Sequence, residues 1–322
     1  MESVSCPVSN SQKFVPWLKV PDRFDLSGKM RWQLVQSCNS GLVMLNPRPD
    51  SSEIASYYQS ALYDPFLHKR NITTLREKAY FTARSLLLRY RARLILGSSP
   101  KPVKRLSILE IGSATGDLLN FFHHSGVQLA HLAGVEPDAA SAAHAREYFG
   151  LKISSSLKGV EGTFDRIVLW HTFEHIHDLH ATLRAVTGLL EPEGLLVITL
   201  PNPACAGAKH YRESWIAYDA PRHLYHFMPG TLAKLLEPYG LSIVKQQPYF
   251  PDAVYNSIHS EELACRLNSQ PFTAWRMASA LCRGTFEAGT GILWPGEGAG
   301  VVYFATLRPK AFSSCVAAAR LS

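Results

Sequence analysis

The chain has 322 residues, of which 46% are hydrophobic and 18% are charged, and it carries a formal net charge of +7. A chain of this length and composition can bury a full core, which excludes a largely disordered protein. The net charge permits an anionic partner but does not require one, because the cations are not gathered into long runs.

Six cysteines stand apart from one another in the sequence, which favours reduced thiols over a disulfide framework. The first ten residues, MESVSCPVSN, lack the apolar core of a signal peptide. Apolar runs also stay shorter than the roughly 18 residues that a membrane span needs. We therefore expect a cytoplasmic protein without a membrane span.

The first 75 residues are irregular in composition, and we assign them to an N-terminal arm. Two short patterns of cysteine and serine occur in this arm, Cys6-x-x-Ser9 and Ser37-x-x-Ser40. Tetrahedral zinc needs four nitrogen or sulfur ligands, and three of these four positions are serine. We predict that the arm holds no metal.

Residues 76–97 have the apolar spacing of a helix and carry Arg84, Arg89, Arg91 and Arg93. These cations could contact RNA or another polyanion. We favour a solvated helix face, because aromatic side chains are not interleaved with the arginines as a surface for single-stranded nucleic acid requires.

From residue 106 onward apolar strands alternate with helices, which predicts a doubly wound α/β fold with a parallel sheet. The predicted strands are 106–111, 131–136, 151–154, 165–170, 194–200, 241–247 and 300–307. The predicted helices are 116–125, 138–148, 178–190 and 229–239. Residues 252–299 interrupt the alternation and are expected to form a helical cap. The α/β domain thus spans 76–310, with a tail at 311–322.

The first turn of this domain reads EIGSATGD from Glu110 to Asp117. Its two glycines let a ligand approach the backbone, and the helix that follows offers free N–H groups. A dinucleotide fingerprint would have glycine in place of Ala114 and Asp117, and the carboxylate of Glu110 would repel a pyrophosphate. That carboxylate suits an ammonium group, while Glu136, at the end of the next strand, suits ribose hydroxyls. The pattern predicts a nucleoside with a cationic tail, a description that fits S-adenosylmethionine.

Residues 106–200 resemble class I S-adenosylmethionine-dependent methyltransferases through the segments LEIGSATGD, GVEPD, FDRIVLWHTFEHIHD and LLEPEGLLVITLPN. The resemblance implies a Rossmann-like, seven-stranded sheet with an antiparallel last strand, and S-adenosylmethionine as cofactor. The cofactor-binding residues that it implies are Glu110, Gly112, Ser113, Ala114, Thr115, Gly116, Glu136, Pro137, Ser156, Leu157, Trp170 and His171.

Residues 34–64 resemble the lead-in of many bacterial small-molecule and sugar methyltransferases. In those proteins a CxxCG knuckle often precedes a GLV…NPRP segment. Since Ser37 and Ser40 occupy the knuckle positions before Gly41, the resemblance implies a degenerate zinc ribbon, which would act as an N-terminal lid.

The pattern His171-x-x-Glu174-His175 directly follows the predicted strand FDRIVLW. An inverted zinc-protease motif has this spacing but lies within a helix, so we favour a strand-to-helix turn. In ubiquinone-type O-methyltransferases, which the core resembles, a Glu-x-x-Glu-His pattern at this place binds magnesium. Here His171 replaces one carboxylate, which disfavours a hard cation. Glu174 and His175 are candidates for a catalytic role or, alternatively, for helix capping with an internal hydrogen bond.

The segment WIAYDAPRHLYHF at 215–227 is similar to a segment that relatives with the NPRP lead-in often carry. We predict that His223 or His171 is a general base, because imidazole titrates near neutral pH. The alternative is that Arg222 and His223 anchor a loop.

The expected reaction is methyl transfer to oxygen or carbon of a small-molecule acceptor, either a sugar or a secondary metabolite. Methylation of RNA is the alternative within the fold, and the net charge and the arginine-rich helix support it. The alternative that is not an enzyme is a module that binds S-adenosylmethionine without catalysing a reaction.

Overall fold

The computed structural model describes residues 1–25, 29–58, 75–97 and 101–308, with the backbone alone for 75–81. The predicted tail at 311–322 lies outside the described residues. The strands are β1 (Phe14–Pro21), β2 (Arg31–Ser37), β3 (Val43–Leu45), β4 (Ile108–Ile111), β5 (Leu132–Val135), β6 (Lys152–Ser154), β7 (Phe164–Trp170), β8 (Leu190–Pro201), β9 (Tyr225–His226), β10 (Leu241–Pro248) and β11 (Gly300–Leu307). The helices are α1 (Leu75–Leu96), α2 (Asp117–His124), α3 (Ala139–Phe149), α4 (Leu179–Leu189), α5 (Ala206–Tyr211), α6 (Pro229–Leu236), α7 (Phe250–Leu267) and α8 (Ala274–Leu293).

A seven-stranded sheet in the order β10-β11-β8-β7-β4-β5-β6 forms the centre of the molecule. The strands from β4 to β8 pair in parallel, whereas β11 is antiparallel to both of its neighbours. This arrangement confirms the Rossmann-like sheet with an antiparallel last strand. All seven predicted strands are present. The longest strand is β8, which begins at Leu190. Its pairing with β7 shifts register between Leu190 and Leu195.

Alternate residues of the buried strands face two hydrophobic clusters, one on each side of the sheet. One cluster joins the sheet to α1, α2 and α3, and the other joins it to α4, α6 and the N-terminal arm. Asp138 and Asp178 cap α3 and α4, each accepting a hydrogen bond from a backbone N–H of the first turn. The doubly wound layering follows from strands whose two faces are both apolar.

The N-terminal arm forms a second, antiparallel sheet in the order β1-β2-β3-β9. Its last strand does not belong to the arm, because Tyr225 and His226 lie in the segment that follows the fifth strand of the central sheet. We did not predict this sheet from the sequence. The arm and the α/β domain therefore share a sheet, although the sequence divides them near residue 75.

The insertion between β10 and β11 consists of the long helices α7 and α8, as the interrupted alternation predicts. They pack against each other as an antiparallel pair, and α7 also packs against β11. None of the helices in the described part of the chain combines the length and the apolar character that crossing a membrane requires.

Candidate active site

The loop between β4 and α2 has three residues with left-handed backbone, Gly112 (φ +78°), Ala114 (φ +45°) and Gly116 (φ +79°). A Cβ atom at Gly112 would lie 2.4 Å from Thr172 Oγ1. At Gly116 it would lie 2.8 Å from the Cβ of Ala145 in α3. Glycine is thus required at both positions, and the loop opens a cradle at the carboxyl edge of the sheet.

Glu136 holds this loop in place from the end of β5. Its two carboxylate oxygens accept hydrogen bonds from the backbone N–H groups of Ala114 and Asp138, each at 2.8 Å. Burial raises the pKa of Glu136, and these two hydrogen bonds oppose that effect. Ser154 O accepts the N–H of Glu136, so the loop with Ser156 and Leu157 lies beside the same edge. The ribose contact predicted for Glu136 and the contacts predicted for Ser156 and Leu157 stay predictions.

Glu110 and Ser113 are buried at the cradle. Within the described part of the chain, Glu110 Oε2 and Ser113 Oγ have no hydrogen-bond partner. Burial raises the pKa of Glu110 well above its usual range, although the nearby Arg91 opposes this shift. A buried acceptor without a partner is costly unless a ligand donates to it. An ammonium donor satisfies Glu110, so the residues present fit the amino-acid end of S-adenosylmethionine.

Two arginines of α1 contact the cradle, contrary to the solvated helix face that we favoured. Arg84 forms an ion pair of 2.7 Å with Asp117 at the start of α2. The guanidinium of Arg91 lies over the ring of Trp170 at 5.1 Å and donates to Tyr249 Oη at 3.0 Å. The prediction is wrong for these two residues because α1 packs along the cradle. The sequence places both arginines seven residues apart, on one helix face, which is the signal that we missed.

The HxxEH pattern lies in a strand-to-helix turn, as predicted, with His171 in left-handed backbone (φ +49°) at the end of β7. Its Nε2 lies 3.1 Å from Asp252 Oδ2 of α7, and its Nδ1 lies 3.6 Å from Glu174 Oε1. Burial alone would lower the pKa of His171, but these two carboxylates raise it to about 10. The two carboxylates favour the imidazolium form of His171, which argues against the general-base role, and that role stays a prediction.

Glu174, His175 and His223 come together below this turn, with one potential ligand atom of each lying within 4.8 Å of the others. Glu174 is 1% exposed, and neither of its carboxylate oxygens has a hydrogen-bond partner among the residues that the structure describes. Burial would raise its pKa, but the imidazoles of His171, His175 and His223 lower it to about 2. Asp178 rather than Glu174 or His175 caps α4, and His175 makes the internal hydrogen bond of the alternative interpretation, from Nδ1 to Arg222 O at 3.0 Å.

His223 presents one ring nitrogen to this cluster. Its Nδ1 lies 2.8 Å from the carbonyl oxygen of Ala217 and therefore donates to it, which leaves the lone pair on Nε2. Burial and the neighbouring His175 lower its pKa to about 4. A pKa of about 4 makes His223 a weaker base than the imidazole that we predicted, which would titrate near neutral pH.

The three side chains Glu174, His175 and His223 could also hold a metal. Both imidazoles have their Nδ1 next to a backbone carbonyl, of Arg222 and Ala217, an arrangement that metal-binding histidines commonly show. Two imidazoles and one carboxylate suit a transition metal better than magnesium. The set does not match the magnesium pattern, in which two carboxylates precede the histidine.

Arg222 anchors the loop that carries His223. It is 1% exposed and binds Asp219 of the same loop and Asp22 of the N-terminal arm, both at 2.7 Å. Tyr57 O accepts a further hydrogen bond from it at 3.2 Å. The two roles that we considered for the Arg-His pair are thus divided, since Arg222 fixes the loop and His223 faces the cluster.

The N-terminal arm also contributes a side chain that we did not predict, since the hydroxyl of Tyr58 lies 2.9 Å from His175 Nδ1. Farther from the cluster, the two cysteine and serine patterns converge. Cys6 Sγ lies 3.1 Å from Ser40 Oγ. Ser9 Oγ lies 3.3 Å from Ser37 Oγ. The hydroxyl groups occupy the positions that the resemblance gives to zinc ligands.

The chain is similar to several known proteins. A ubiquinone biosynthesis O-methyltransferase of Dinoroseobacter shibae is 28% identical over 62% of this chain and 85% of its own length. The C-methyltransferase NovU of Streptomyces niveus is 28% identical over 42% of this chain and 33% of its own. The magnesium protoporphyrin IX methyltransferase of Synechocystis PCC 6803, solved with bound SAH, covers 81% of this chain and 100% of its own at 12% identity, with a TM-score of 0.49.

A family model described as a methyltransferase domain matches residues 79–246, which is more than half of the chain. The chain belongs to this methyltransferase family. It is an S-adenosylmethionine-dependent methyltransferase.

Proposed function

We propose that this enzyme methylates an oxygen or carbon atom of a small-molecule acceptor, either a sugar or a secondary metabolite, and that His223 is its general base. The observation that carries the proposal is the Nε2 lone pair of His223, which its Nδ1 bond to Ala217 O fixes toward Glu174 and His175. His223 is 11% exposed, so an acceptor in the cleft can reach this nitrogen.

S-adenosylmethionine supplies an electrophilic methyl group on a sulfonium sulfur. The chain holds it through Glu110, Glu136 and the backbone of the glycine-containing loop. Transfer needs the acceptor atom aligned with that methyl group and water excluded, which the α7–α8 cap provides above the site. A hydroxyl or an acidic C–H must lose its proton as the new bond forms, and His223 Nε2 takes that proton.

His171 has a different role in this proposal. Its imidazolium stands at the end of β7 between Asp252 and Glu174 and is partly accessible from the cleft. A fixed cation there stabilises the negative charge that develops on the acceptor when its proton leaves. His223 as base and His171 as cation form a pair whose pKa values are driven in opposite directions, to about 4 and about 10.

The two curated relatives support the acceptor class, since their names record O-methylation in ubiquinone biosynthesis and C-methylation. Methylation of RNA has less support. Arg84 and Arg91 are engaged with the cradle, and the arginines that remain exposed on the described part of α1 are Arg89 and Arg93.

The test is turnover with radiolabelled S-adenosylmethionine against nucleotide-linked sugars, phenols and RNA, with the methylated atom located by NMR. With the best acceptor, His223→Gln should lower kcat by about 10²–10⁴-fold and leave the affinity for S-adenosylhomocysteine unchanged. His259→Gln, an exposed histidine of α7, is the matched control. Full activity of His223→Gln would exclude it as the base, and RNA as the best acceptor would overturn the acceptor class.

A further inference from the structure

The outer surface of α8 carries an apolar stripe that the reaction does not use. Trp275, Phe286 and Trp294, at its C-terminal cap, are 81%, 73% and 56% exposed. The buried residues of α8 occur at Ala280, Gly284, Glu287 and Gly291 and face the rest of the fold. At 100° per residue, the opposite side of the helix carries a stripe that no charged residue interrupts. Its six residues, all exposed, are Trp275, Ala278, Cys282, Phe286, Gly289 and Leu293.

This outer stripe reverses the usual pattern of a surface helix. The outward side of such a helix normally carries charged residues, and its apolar side faces the core. If the full surface of each aromatic side chain is roughly 200 Å², these three side chains alone expose about 400 Å² to solvent. That is about half of the 800 Å² that each partner buries in a standard protein interface.

We propose that the outer stripe of α8 pairs with the same stripe of a second copy of this chain, forming a two-fold symmetric dimer. The spacing of the stripe at three and four residues is that of a helix–helix seam. The stripe is also nearly symmetric about Gly284. In an antiparallel pair, Trp275 of one copy lies beside Leu293 of the other, and Ala278 lies beside Gly289. The small pair lets the helices approach closely, and Cys282 lies beside the partner's Phe286.

The charges of α8 favour a second copy over a membrane surface. An interfacial helix that binds anionic lipid carries free lysine or arginine along its polar side. The two arginines of α8 are instead engaged within the fold. Arg276 pairs with Glu261 at 2.7 Å, and the guanidinium of Arg283 lies over the ring of Tyr211. A chain identical to this one offers an uncharged apolar stripe of the same length.

The dimer would act on the active site through the cap. Asp252 of α7 contacts His171, and Glu287 of α8 accepts the backbone N–H of Gly207 at 2.8 Å, just after β8. Because α7 and α8 pack against each other, a second copy on α8 would restrain the cap above the site. Formation of the dimer would therefore influence how the α7–α8 cap closes over the active site.

Sedimentation equilibrium of the full chain tests the proposal. We expect a dimer, and Phe286→Asp should raise the dimer Kd by at least about tenfold. Tyr148→Asp changes an exposed aromatic residue on α3 and should leave the Kd unchanged. Circular dichroism and S-adenosylhomocysteine affinity report whether the variants fold. A chain that stays monomeric at about 100 μM, or a dimer indifferent to Phe286→Asp, would overturn the proposal.

Cross-linking provides a second measurement on an unaltered stripe. In a Cys38→Ser/Cys315→Ser background, a short bismaleimide should link two copies through Cys282, and Cys282→Ser should abolish the product. A dimer that does not cross-link at Cys282 would place the interface elsewhere. Co-sedimentation of a monomeric chain with phosphatidylglycerol vesicles would reassign the stripe to a lipid surface.

Discussion

The cradle around the glycine-containing loop and the acceptor cluster, by which we mean Glu174, His175, His223 and the neighbouring Tyr58, lie at the same edge of one sheet. They are built in different ways. The cradle comes from about 30 consecutive residues and acts through backbone, with φ values of +78° and +79° at Gly112 and Gly116. The acceptor cluster brings together Tyr58, Glu174 and His223, from segments far apart in the chain. The cradle is thus local in the sequence, whereas the cluster forms only through the tertiary structure.

The two regions also differ in how burial and neighbouring groups shift the pKa values of their carboxyl groups. At the cradle, burial raises the pKa values of Glu110 and Glu136, and Glu110 Oε2 has no hydrogen-bond partner among the described residues, so a ligand that donates to it is favoured. In the cluster, buried imidazoles and carboxylates compensate one another, so that Glu174 stays ionised. A substitution in the cradle should therefore act through shape, whereas one in the cluster should act through charge.

Among the substitutions that separate these two regions, the largest effect on cofactor binding is expected at Gly112. Gly112→Ala places a Cβ 2.4 Å from Thr172 Oγ1 in a backbone conformation that alanine disfavours. We expect the affinity for S-adenosylhomocysteine to fall by about 100-fold or more, measured by isothermal titration. Gly188→Ala in α4 meets no atom within 4 Å and should bind normally. Equal affinity of the two variants would contradict the close approach that we infer.

The next effect concerns the charge of His171. Its pKa is raised from 6.5 to about 10, so its ion pairs stabilise the fold fully below pH 6.5 and are lost as pH rises through 10. His171→Gln should be less stable than the parent by about 1–3 kcal/mol at pH 7, with a difference that shrinks toward pH 10. Urea unfolding from pH 6 to 10 measures it. A difference that does not change with pH would show that His171 is not charged.

The smallest expected effect is at Tyr58. Tyr58→Phe removes one hydrogen bond to His175 and should lower kcat about 3–10-fold, with S-adenosylhomocysteine affinity unchanged. Tyr148→Phe, on the outer side of α3, is the control and should keep full activity. If Tyr58→Phe weakened cofactor binding instead, the arm would belong to the cradle and the division between the two regions would fail.

Much of the fold and the cradle could be predicted because their signals are local. Apolar runs mark β4, β5 and β7, and the glycines and Glu136 have fixed spacing along one strand–turn–helix unit. The charge of His171 could not be predicted, since it depends on Asp252, which lies 81 residues further along the chain. The contact of Arg91 with Trp170 and the pairing of β9 with β3 likewise arise only from tertiary packing.

The salt bridge between Arg222 and Asp22 has a consequence for any shortened form of the enzyme. A polypeptide starting at residue 76 keeps the whole nucleotide-binding half but deletes one carboxylate partner of an arginine that is 1% exposed. Arg222 keeps Asp219 but loses the hydrogen bonds to Asp22 and to Tyr57 O, and buried donors left without partners are destabilising. The same deletion unpairs β9, which directly follows His223 and Leu224. The described part of the N-terminal arm therefore holds the loop that carries His223, and trimming the arm should impair methyl transfer to the acceptor before it impairs cofactor binding.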